Sequence, residues 1–205
     1  MVERRGGAPD PAYDETITNE DWHAREPEVP RFTRTRLLGV DLMETVTVGA
    51  FFSECTFRDV KFNASRYERS AFVNCTFVGC NFFDTHFIDS KFTGSLFDSC
   101  DFSLLHVDDG DWSFVGLPGA ALQKATFTGV RMRETDLTFA RCSGATFADC
   151  DLSGSWFQGA DLTRASLVGS DLSGLDPRTT EIDGAFIDER QAIALIETMG
   201  MHVIR

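Results

Sequence analysis

Every fifth residue from Phe32 to Ile187 is apolar or aromatic at 30 of 32 positions, Thr47 and Pro177 being the departures. The residue two places earlier is small or short-branched in 29 of the 32, with Pro30, Leu105 and Leu175 as exceptions. Neither the helical period of 3.6 nor the strand period of 2 returns to the same position every fifth residue. A period of six, which would point to a hexapeptide β-helix, does not hold. The register never slips, so any insertion within it is a multiple of five residues long.

The stretch GADLTRASLVGSDLSG (159–174) reads as A-D-L-x-x units and resembles the pentapeptide-repeat family. That resemblance implies an all-β solenoid, a right-handed quadrilateral β-helix of about eight coils over residues 30–187. Four pentapeptides would make one coil, with the central residue inward and the small residue filling the corner. One inward column then reads Phe32, Phe52, Phe72, Phe92, Trp112, Met132, Leu152, Leu172, and another Leu37, Phe57, Phe77, Phe97, Leu117, Leu137, Phe157. Phenylalanine stacks in the N-terminal half and aliphatic residues in the C-terminal half.

In this frame Cys55, Cys75, Cys80, Cys100 and Cys150 take the small corner position and Cys142 a central one. A reduced cysteine behaves as a small hydrophobe, and no C-x2-C pair exists for zinc. Structural thiols are expected. His86 and His106 stand 20 residues apart on outward positions, with Arg66 next in the column. A third ligand is not evident from the spacing, so a solvated ladder and no metal site are expected.

No run of about 18 apolar residues is present, so no membrane span is expected. The first residues lack the apolar core of a signal peptide, so a cytoplasmic protein is expected. A flat-sided rod offers no substrate-sized concavity, and no glycine-rich phosphate loop occurs. A non-enzyme without a cofactor is expected.

The net charge of −13 is uneven. Residues 1–29 carry 8 acidic and 3 basic residues, residues 30–100 carry 8 of each, and residues 101–205 carry 16 and 8. An acidic C-terminal half repels nucleic acid and attracts a basic partner. The first 29 residues, rich in proline and acid, read as a flexible arm, with Trp22 able to pack back as part of a cap.

At the other end, residues 188–205 break the repeat. Asp188 and Gln191 have capping-box spacing. Ala192, Ile193, Ile196 and Met199 form a helical apolar stripe, and Gly200 is a stop signal. A helix here would cap the last coil and, with the outward Trp156 and Phe186, form a dimer contact.

The unbroken rod, FFSECTF (51–57), MRETDL (132–137), the GADL run and DERQAIALIETMGMHV (188–203) together resemble the MfpA and Qnr group of topoisomerase-protecting pentapeptide proteins. That resemblance implies a homodimeric DNA mimic joined at its C-terminal end. It would bind DNA gyrase, with topoisomerase IV as a second target, and protect it from quinolones or a natural poison. The binding surface would be the outward carboxylates Asp101, Asp161 and Glu181, then Asp111, Asp151 and Asp171, plus Asp108, Asp109 and Asp136. A scaffold for a different partner is the alternative.

Overall fold

The five-residue period becomes a coil because the chain turns a corner once per repeat. Two places after most inward central residues, the backbone enters the left-handed region. Examples are Asn19 (φ 53°), Glu44 (φ 56°), Asp59 (φ 53°) and Gly79 (φ 64°). Each such corner costs a non-glycine residue on the order of 1 kcal/mol, offset by the bonds between coils. The amide of Phe72 donates to the Lys91 carbonyl one coil on at 2.7 Å, and that of Ala71 to the Ala50 carbonyl at 2.8 Å.

The computed structural model describes residues 12–24 and 29–204. They form a parallel β-solenoid with four faces. The first face holds β2 (Arg31–Thr33), β5 (Phe51–Ser53) and β8 (Ala71–Val73). The second holds β1 (Glu15–Thr18), β3 (Thr35–Leu38), β6 (Thr56–Arg58), β9 (Thr76–Val78) and β11 (Leu96–Asp98). The third is built of single parallel bridges such as Asp41↔Lys61↔Asn81↔Asp101. The fourth holds β4 (Val46–Val48), β7 (Arg66–Glu68), β10 (His86–Ile88), β12 (His106–Asp108), β13 (Thr126–Thr128) and β14 (Thr146–Ala148). The bridges Thr146↔Ser166↔Phe186 extend this six-stranded face to eight layers.

Whether a side reads as strand or turn follows in part from the residue just before the central one. Among the described positions just before a central residue, every Thr opens a strand and every Asp or Asn opens a turn. The carboxylate explains the difference. Asp101 Oδ1 accepts the Ser103 N–H at 2.9 Å and Asp171 Oδ1 the Ser173 N–H at 2.9 Å, a side-chain turn that competes with the ladder.

The inward columns are as the period predicts. Phe52, Phe72 and Phe92 stack at 4.9 and 4.7 Å, and Phe57, Phe77 and Phe97 at 4.7 Å each, all near-parallel. The dissenting Thr47 is buried in its place. Pro177 has the opposite effect. Proline restricts the residue before it, the second-face ladder ends at Trp156, and Gly159 bonds to Thr179 rather than to residue 178. The backbone therefore slips by one residue at 176–179 and is back in register at Glu181, which accepts from Leu162 at 2.7 Å.

One expectation at the ends needs correction. Residues 12–24 are not arm: β1 pairs with β3 in parallel, Asp21 bridges Asp41, and Trp22 stacks on Phe32 at 6.0 Å, so the solenoid starts before residue 30. The remainder of the expected arm, 1–11 and 25–28, lies outside the described residues. At the C-terminus α1 (Glu189–Thr198) has the Asp188–Gln191 capping box, and Gly200 (φ 85°) closes it with bonds to the Glu197 and, through Met201, Ile196 carbonyls. The apolar stripe lies largely on the outer side of the helix. Gln191 and Leu195 are the buried pair, while Ile196 and Met199 are exposed. The Gln191 amide donates to the carbonyls of Leu167 and Ser170 at 2.6 and 2.7 Å, capping acceptors that no further coil would satisfy.

Candidate functional site

The predicted carboxylates all point outward, but the four faces divide them. Asp111, Asp151 and Asp171 share the first face. Asp108 and Asp109 lie at the corner between the fourth face and the first. Asp101, Asp161 and Glu181 line the third face, and Asp136 lies on the second between Gly116 and Trp156. They do not form a single surface.

What the structure brings together is a strip along the first face and its corner. Asp89, Asp109, Asp111, Asp149 and Asp151 surround an open trough of about 420 Å³, together with Lys91 and Arg131. Asp89 and Asp149 were missed by sequence reasoning, which placed charge by half of the chain and not by corner. For Asp149 the signal was present, a corner acid with glycine 20 residues on, whereas Asp89 is followed in its column by Asp109. Asp109 and Asp149 are in the left-handed conformation (φ 59° and 54°), and each carboxylate lies over a glycine, Gly129 and Gly169, where a Cβ would sit within 2.6 Å. Gly110 forms the trough floor. Its φ is 91° and a Cβ there would meet the Ser90 carbonyl oxygen, so no other residue fits.

The strip is not uniformly acidic. Arg131 pairs with Asp111 at 3.4 Å and Arg133 with Asp151 at 2.5 Å. Asp108, Asp109, Asp149 and Asp171 have no ion pair among the described residues. Burial pushes the Asp111 and Asp151 carboxyls up, but bonds from Ser113 or Ser153 and from Arg131 or Arg133 outweigh it and leave both below the usual carboxylate range. Bonds from the Thr163 hydroxyl and N–H hold Asp161 low as well.

The same carboxylates build the turns, so charge and fold share residues. Asn81 accepts the Phe83 N–H at 2.9 Å in the way Asp101 accepts that of Ser103. An Asp→Asn change at these positions removes charge and keeps the turn.

The expected dimer residues also separate. Trp156 (57% exposed) belongs to the second face and Phe186 (62% exposed) to the fourth, opposite it. Ile193 is half-buried, and Ile196 and Met199 stand on the outer side of α1. One flat contact cannot hold both aromatics.

The cysteines do more than fill space. Cys75 Sγ lies 3.6 Å from the Phe52 carbonyl, and Ser95, one coil on in the same column, donates to the Phe72 carbonyl at 2.8 Å. The corner position is a hydrogen-bonding one shared by Cys, Ser and Thr. All six thiols are free, and five are buried. Burial pushes Cys142 up to about 12 and Cys150 to about 11.

Among the described residues no helix is long and apolar enough to cross a membrane. Residues 117–154 and 145–176 match the family of pentapeptide repeats, in eight copies, and the same register and corners run through the rest of the solenoid. No curated protein matches the chain in sequence. Among solved structures the chain is similar to full-length QnrB1, a plasmid-mediated fluoroquinolone resistance protein, at 18% identity over 91% of this chain and 98% of that one, TM-score 0.48. A trypsin-treated form of QnrB1 gives 22% identity over 92% and 97%, TM-score 0.45. HetL, a pentapeptide-repeat protein involved in heterocyst differentiation regulation in the cyanobacterium Nostoc, gives 19% over 85% and 86%, TM-score 0.33.

Proposed function

We propose that this pentapeptide-repeat protein is a non-enzymatic, cytoplasmic DNA mimic that binds DNA gyrase and shields it from quinolones or a natural gyrase poison. The observation that carries the reading is the acidic strip on a straight-sided rod. Residues 101–187 make about 4.4 coils, roughly 21 Å at ~4.8 Å per layer. With 13 acidic and 6 basic residues over the same stretch, a net charge of −7, that is about one charge per 3 Å, against one per ~1.7 Å in duplex DNA. The densities are of the same order, and the lower one suits a protector that DNA can displace. A dimer joined through the outer side of α1 would set two such segments end to end, about 42 Å in all.

The test is a supercoiling assay on purified gyrase with and without a quinolone, run alongside a binding titration. The strip variant Asp109→Asn, Asp149→Asn, Asp171→Asn strands no ion-pair partner and keeps the corner and turn geometry. It should lose affinity and protection at an unchanged melting temperature. Glu54→Gln, Asp59→Asn and Asp98→Asn, in the neutral half, should change little. Binding should weaken with salt, as exposed charge pairing does when screened. If the two triple variants bind alike, or the protein leaves supercoiling and its quinolone inhibition untouched, gyrase mimicry fails and a scaffold for another partner takes its place.

A further inference from the structure

The geometry points to a divalent transition-metal site formed by Asp84, His86 and His106 on the fourth face. The parallel register sets His86 directly opposite His106, and the rings stack with centroids 4.6 Å apart and planes 20° from parallel. Spacing alone offered no third ligand. The corner supplies it. Asp84 takes the left-handed conformation (φ 54°), which swings its carboxylate back over the face, and its Oδ1 lies 3.7 Å from His86 Nε2. One ligand atom from each of the three residues falls within 4.8 Å of the others.

The neighbours leave these ligands uncommitted. Arg66, next to His86 in the column, is held by Glu68 at 2.8 Å. On the other side His106 pairs with Thr126. Neither imidazole nor the Asp84 side chain has a hydrogen-bond partner among the described residues. All three are half-buried, so a bound ion would keep its remaining positions for water. Two imidazole nitrogens and one carboxylate oxygen suit Zn²⁺ and its transition-metal neighbours and give an open, three-ligand sphere. Because Zn–N bonds are about 2.0–2.1 Å, the rings must swing together by an ångström or so on binding. The backbone ladder beneath need not move. An ion here would tie the coil carrying Asp84 and His86 to the next, at the boundary between the neutral and acidic halves.

The experiment is calorimetric titration of the full chain with Zn²⁺, and Co²⁺ titration followed by visible absorption. The wild type should bind one ion per chain and show cobalt bands of a nitrogen–oxygen sphere. His86→Asn and His106→Asn, each checked for an unchanged circular dichroism spectrum, should lose affinity by about tenfold or more, and Asp84→Asn should lose part of it. If one histidine variant fails to fold, the other carries the test. A wild type that binds neither metal, or histidine variants that bind as the wild type does, overturns the site. Unchanged affinity in Asp84→Asn overturns the three-ligand assignment.

Discussion

The phenyl ring of Phe139 fills the space over Gly159, one coil on, with Cδ1 and Cε1 2.5 Å from where a Cβ would project. Both residues are corners, at φ 55° and 70°. The column reads Asn19, Gly39, Asp59, Gly79, Ser99, Gly119, Phe139, Gly159. Asn19, Asp59 and Phe139 each lie over the next glycine in the column, which leaves room for them, whereas Gly119 after Ser99 has open space within 4 Å. Gly159→Ala should cost about 1–3 kcal/mol through left-handed strain and displacement of the ring. Pairing it with Phe139→Ala should recover the displacement and keep the strain. A double-mutant cycle by urea unfolding reads the difference.

Gly110→Ala should be more severe, because the obstacle is backbone. The Ser90 carbonyl and amide both occupy the space a Cβ needs. We expect a loss above about 4 kcal/mol, or failure to fold, measured by thermal melting.

The thiols should be inert in the native protein. An alkylating reagent should find half-buried Cys100 first and the other five only on unfolding, with six thiols titrating in denaturant. Cys150→Ser should be milder than Cys150→Ala. Ser170 already donates from the same column to the Phe147 carbonyl at 3.0 Å, so a hydroxyl can make that bond.

Acid should unfold the protein through its turn carboxylates. Asp111, Asp151 and Asp161 are held below their ordinary range in the fold. Their contribution is complete above the unfolded carboxylate value of about 3.9 and is lost as pH falls through the folded values. Stability should be flat near neutrality and fall below about pH 4. Asp161→Asn should flatten that fall and lower the neutral melting temperature slightly, because the charge-assisted part of its bonds is lost.

The two sides of α1 should separate capping from assembly. Leu195→Ala removes a buried anchor and should cost about 2 kcal/mol. Gln191→Ala strands two carbonyls and should cost about 1–3 kcal/mol. Ile196→Asp lies on the outer side, so it should leave the melting temperature in place and, if two chains meet there, convert a dimer to a monomer by light scattering. A wild type that is monomeric at micromolar concentration excludes that contact.

The inward columns and the capping box were legible from residue order because both are local and repeating. A position that recurs every five residues meets the same environment in each coil, and Asp188 bonds to Gln191 only three residues away. Corner geometry was half legible. The small inward residue showed in the spacing, but its hydrogen bond to a carbonyl 23 residues back did not. What tertiary structure alone decided are relations across a corner or between faces. These include Asp89 and Asp149 joining Asp109, Arg133 reaching Asp151, Asp84 turning toward His86, Trp156 and Phe186 parting to opposite sides, and Leu195 rather than Ile193 facing the last coil. Those at a corner depend on the direction in which the chain leaves a left-handed residue, and the rest on how faces and helix are set against one another, properties of the closed coil and of no five-residue segment by itself.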